Sequence, residues 1–84
     1  MEGTRVEYDG NGPLPAPGFY WKQRLGHWEC VTPNGLYGTL AGHHVVENGN
    51  GTITVSPSIL VTLECAGNDR DAYHGYLTKG EWKP

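Results

Sequence analysis

Two cysteines and four histidines are the residues best suited to metal or nucleophilic chemistry in this 84-residue chain. Cys30, Cys65 and His74, completed by His43 or His44, make up a Cys₂His₂ set, which zinc takes as a tetrahedron at about 2.0–2.3 Å. The spacing does not demand such a site, since no Cys-x-x-Cys pair is present. Two other readings stand beside it. The thiols are small buried side chains in neighbouring strands, or they form a disulfide, which requires that the protein leave the cytoplasm. His43 and His44 open a strand and so point to opposite faces. A catalytic base also needs a nucleophile and an orienting partner. Ser56 and Ser58 flank a proline and lie in no Gly-x-Ser-x-Gly elbow. Asp69 and Asp71 flank Arg70 in a polar loop without the further oxygen ligands that Ca²⁺ requires. The 13 glycines form neither a Gly-x-x-x-x-Gly-Lys nor a Gly-x-Gly-x-x-Gly phosphate cradle. The chain is therefore not expected to be an enzyme, and zinc is the one cofactor its residue types admit.

The aromatic residues are the other reactive surface. Nine rings in 84 residues exceed what a thin core is expected to hide. Strand alternation puts Phe19 and Trp21 on one face and Tyr20 on the other. Some rings are thus expected at the surface, where Trp and Tyr favour interfaces. Tyr20, Trp21, Trp28, Tyr76 and Trp82, with His43 and His44, are the predicted binding residues.

The elements that position these groups read as short strands. Phe19 to Val31 forms a hairpin around Leu25-Gly26, with Trp28 and Cys30 facing inward. Leu36 to Leu40 is a short strand or connector. His43–Glu47 and Thr52–Val55 form a second hairpin around Asn48-Gly49-Asn50-Gly51, the strongest turn signal in the chain. Ser56-Pro57-Ser58 makes a bend or bulge, because Pro57 cannot donate to a ladder. Ile59 to Cys65 is the most apolar strand and is placed centrally, with Ile59, Val61 and Leu63 buried. Tyr73–Thr78 and Glu81–Lys83 close a last hairpin around Lys79-Gly80. No segment keeps a helical period. The predicted fold is all-β: a small sandwich or open barrel of six to seven short antiparallel strands built from hairpins. Residues 1–18, with Val6-Glu7-Tyr8 as a short edge strand and a Pro-rich stretch at 13–17, are read as an extended lead-in to a single β-domain at 19–84.

Asn50-Gly51-Thr52-Ile53-Thr54-Val55-Ser56-Pro57-Ser58-Ile59-Leu60-Val61 resembles the Thr-x-Ser-Pro-Ser-Ile strand-bend-strand of a family of small uncharacterised phage and prophage β-domains. Cys65, His74, Tyr76 and Gly80 follow in the family's order of Cys, His, aromatic and Gly. The hairpin from Gly18-Phe19-Tyr20-Trp21-Lys22 to Gly26-His27-Trp28-Glu29-Cys30-Val31 is similar to a Gly-aromatic-Tyr-Trp hairpin of such proteins. The resemblance covers about half the chain. Family members with a Cys pair look like zinc proteins; Cys30 alone stands at that place here.

Composition narrows the classes further. Charged residues are 18% and the net charge is −3, with six scattered basic residues and no basic stripe, so no nucleic-acid partner is expected. No apolar run reaches 18 residues, and no apolar stretch follows Met1 as in a secretory leader. No membrane partner is expected, and the protein is placed in the cytoplasm of a host cell or on a virion. The function that follows is a small non-enzymatic phage-type accessory protein. It would act on a protein partner or on its own copies through an aromatic surface, as a particle component or an inhibitor of a host protein. The alternative is a binder of a sugar or nucleotide-like signal held between rings and the His43-His44 strand.

Overall fold

A computed structural model describes residues 1–62 and 72–84. The chain forms two four-stranded sheets. The first holds β1 (Thr4–Arg5), β2 (Phe19–Lys22), β3 (Trp28–Val31) and β4 (Tyr37–Thr39), in that order. The second is the meander β5 (His44–Glu47), β6 (Ile53–Thr62), β7 (Ala72–Thr78) and β8 (Glu81–Lys83). The all-β expectation holds. Among the described residues the strand count is eight rather than six to seven, and one pairing is not antiparallel.

That exception is β1, which runs parallel to β2 with Thr4 opposite Phe19 and Arg5 opposite Tyr20. A parallel pair needs a long crossover, and residues 6–18 supply it. The predicted edge strand at Val6–Tyr8 is instead the start of this crossover. Residues 1–3 also join the two sheets. Glu2 bridges Glu81 antiparallel, and the Gly3 amide donates to the Gly80 carbonyl at 2.7 Å. A Cβ on Gly3 would lie 2.9 Å from the Gly80 oxygen and 2.9 Å from Trp82 Nε1, so only glycine fits this seam. The segment expected to be a lead-in is thus built into the fold.

The three predicted hairpins form. Asn48 and Thr52 close the turn between β5 and β6, with the Asn48 amide donating to the Thr52 carbonyl at 2.8 Å. Gly51 sits at φ +88°, whereas Gly49 needs no positive φ and has open space around it. Gly51→Ala is expected to cost about 1 kcal/mol and Gly49→Ala close to nothing. Paired urea-unfolding curves check this, and equal losses would mean that the turn is differently built.

β6 is longer than expected because Thr52–Val55 and the Ile59 strand merge. The register to β7 shifts between Val55 and Ile59, where Ser56-Pro57-Ser58 bulges out. Pro57 has no N–H for the ladder, so the extra residues fall there. β6 lies between β5 and β7, the central place expected for it.

The core lies between the sheets. Tyr20, Trp28 and Cys30 from the first pack against Ile53, Val55, Ile59, Val61, Leu77 and Trp82 from the second. Leu63 lies outside the described residues. Gly38 lets the sheets approach, since a Cβ there would come within 2.6 Å of Val61 Cγ2.

Candidate interaction surface

Four rings predicted to bind are buried: Tyr20, Trp21, Trp28 and Trp82 are each at most 4% exposed, Trp28 on the inward face expected for it. The aromatic surface built on them does not exist in the folded chain. The physical reason is a second buried layer, which the estimate of a single thin core did not include. Tyr20, Trp28 and Trp82 point into the core. Trp21 points to the outer face of the first sheet, where Tyr8 of the crossover covers it edge-on at 5.1 Å and Tyr37 stacks on it at 6.3 Å.

This outer layer is organised by Glu29, which lies opposite Trp21 in the β2–β3 register. Trp21 Nε1 donates to Oε1 at 3.1 Å, and the Gln23 amide donates to the same oxygen. Tyr37 Oη donates to Oε2 at 2.6 Å and His27 Nε2 lies 3.2 Å from it. Burial pushes the Glu29 carboxyl up, but the bonds from Tyr37, Gln23, His27 and Trp21 together outweigh it and hold the group below its ordinary range. The Glu29 hydrogen bond, with burial behind it, pushes Tyr37 up to about 12. A carboxylate with four donors is already satisfied and serves to anchor the layer. Sequence reading assigned Glu29 no role. The available signal was the hairpin itself, which sets an indole N–H across from a carboxylate.

The Trp28 ring is capped at the edge of the core by two cations. The Arg5 guanidinium lies 5.0 Å and Lys22 Nζ 5.9 Å from its centroid, and Glu47 pairs with both, at 3.6 and 3.3 Å. An open groove runs from this point along residues 2–9 and the turns at 22–26 and 50–52. Arg5, Lys22 and Arg24 line it together with Glu2, Glu7 and Asp9, so its walls carry both signs of charge.

The predicted metal residues are not brought together where they can be described. Cys30 is fully buried with a free thiol, and burial, reinforced by the Glu29 charge, pushes it up to about 12. His74 is exposed on the outer face of the second sheet, and Cys65 lies outside the described residues, as do Asp69 and Asp71. A tetrahedral site cannot take both a sealed core thiol and a ring on the far side of the opposite sheet. Among the described residues, no three His, Cys, Asp or Glu side chains stand together as a metal site.

The two neighbouring histidines separate as alternation requires. His43 is half-buried, and its Nε2 donates to the Ser58 carbonyl at 3.2 Å; His44 is exposed on β5. Ser58 Oγ is also 3.1 Å from His74 Nε2. The bulge thus turns Ser58 towards both rings.

What remains open is the outer face of the second sheet. Leu60 pairs directly with His74, and Tyr76 stands two residues further along β7 opposite Lys83. Leu60 is 63% and Tyr76 51% exposed, and Val46 of β5 shares the face at 45%. Of the Tyr and Trp side chains predicted to bind, only Tyr76 is at the surface, and of the two histidines His44 is exposed. Among the described residues, no helix is long and apolar enough to cross a membrane.

No family model matches the chain, and neither the curated proteins nor the solved structures contain a match.

Proposed function

We propose that this chain is a non-enzymatic interaction domain, of the phage accessory type that its sequence resembles, and that it holds a protein partner on the outer face of its second sheet. The observation that carries this reading is an asymmetry. The chain covers the Trp21 ring on the outer face of one sheet with its own crossover, placing Tyr8 over it, and ties the half-exposed Tyr37 beside it to Glu29. On the other sheet it leaves Leu60 and Tyr76 exposed on the same face, Leu60 opposite His74 and Tyr76 two residues further along β7. Leu and Tyr grouped with His74 and Lys83 form an apolar centre with a polar rim, the composition of a contact surface. Either a particle component or an inhibitor of a host protein is served by such a face.

Photo-crosslinking from position 60 or 76 in host extract tests the reading. A defined protein adduct is expected from these positions and not from Leu25, which is exposed at a hairpin tip. Tyr76→Asp in the probe at position 60 is expected to abolish the adduct, because losing a central ring typically costs 2 kcal/mol or more of binding. The melting temperature is expected to stay unchanged, since the ring is outside the core. Equal adducts from all three positions would remove the proposal.

A further inference from the structure

Residues 1–3 close the seam between β8 and the first sheet, so the described strands form one open series with β5 and β4 at its ends. We infer that the β5 edge pairs antiparallel with the β5 edge of a second copy, about a two-fold axis through Val46. This deepens the interaction reading above and rests on it.

The register follows from the backbone. The Asn48 amide bonds to the Thr52 carbonyl, so positions 48, 46 and 44 turn their peptide groups towards β6. Val45 and Glu47 therefore direct their N–H and C=O groups away from β6, and among the described residues β5 pairs with no other strand. The His43 amide is already taken by the Leu40 carbonyl at 3.0 Å. A two-fold that keeps the core faces on one side needs residues of matching alternation opposite each other. Centring it on Val45 would need the occupied His43 amide. Centring it on Glu47 would set two carboxylates directly opposite, which is unfavourable. Centring it on Val46 joins Val45 to Glu47 of the second copy in reciprocal hydrogen-bonded pairs and places the two Val46 side chains together on the exposed face.

The side chains agree with this. His44–Glu47 carries no Lys, no Pro and no bulge, and its one charged side chain, Glu47, is paired within the chain by Arg5 and Lys22. The β4 edge has Gly38 at its centre and offers no such side-chain pair. The joined sheet would carry Leu60 and Tyr76 of both copies on one continuous face.

The experiment compares samples at about 10 μM and about 1 mM, a span that brackets weak self-association. Sedimentation should give a dimer at the higher concentration, and the Val45 and Glu47 amides should become protected from hydrogen exchange only there. Val46→Lys should leave the chain folded and monomeric, while Leu60→Lys should leave the dimer intact. A monomer at both concentrations overturns the inference, and so does a dimer that only Leu60→Lys disrupts. In either case, adducts from positions 60 and 76 would persist if the interaction reading itself holds. The amide measurement needs no variant, so the test survives a Val46→Lys chain that fails to fold.

Discussion

Trp82→Ala is expected to destabilise the domain by about 3–5 kcal/mol, the usual cost of removing a buried Trp. A chain of this length is stable by roughly 4–13 kcal/mol, so the variant should lose a large share of its stability and melt well below the parent. Trp82 is 2% exposed and meets Tyr73 edge-on at 5.6 Å. Its Nε1 donates to the Gly18 carbonyl at 2.9 Å, a bond from β8 to the entrance of β2. Its backbone amide donates to the Met1 carbonyl at 2.7 Å. The residue therefore fills the core and also holds the first sheet to the second. Trp82→Phe separates the two roles: it keeps most of the apolar fill and loses the indole bond, which is worth about 1 kcal/mol, plus whatever part of the vacated volume fails to close. Urea unfolding of both variants checks the pair. An Ala variant within 1 kcal/mol of the parent would show that the seam is not closed by this ring.

Glu29→Gln is the second large effect, at about 2–3 kcal/mol near neutral pH, because hydrogen bonds to a charged acceptor are worth more than neutral ones. The amide nitrogen of the new side chain would also face donors that the carboxylate accepted. The same residue makes the parent sensitive to acid. Its folded-state pKa lies below the ordinary 4.5. Between these two values the unfolded chain binds more protons than the folded one, so stability rises with pH there. The contribution is complete above about pH 5 and is lost as pH falls through the folded value. Unfolding curves from neutral to acid pH should slope down for the parent and run flatter for Glu29→Gln. Parallel curves would mean that Glu29 does not carry the acid step. Loss of the Tyr8–Trp21–Tyr37 layer should register as a change in Trp fluorescence.

Local sequence decided the hairpins, because their signals act within a few residues. Asn48 to Gly51, Lys79-Gly80 and the block at Pro57 each constrain their own backbone, and period-two alternation placed Trp28, Cys30, Ile59 and Val61 inward. The same alternation separated Trp21 from Tyr20. It could not say that the face holding Trp21 would be covered, since Tyr8 reaches it only through the long crossover at 6–18. The parallel pairing of β1 and the seam at residues 1–3 were hidden for the same reason: the pairs join positions at opposite ends of the chain. Zinc and interface assignments depended on which groups meet and which remain outside, and neither is a property of spacing. Residue order thus determined strand, turn and inward face, where the forces are steric and local. Only the tertiary structure decided that Trp21 is covered on its outer face, that Glu29 gathers four donors, and that Leu60 and Tyr76 stay open, because burial belongs to the packed chain and to no segment of it.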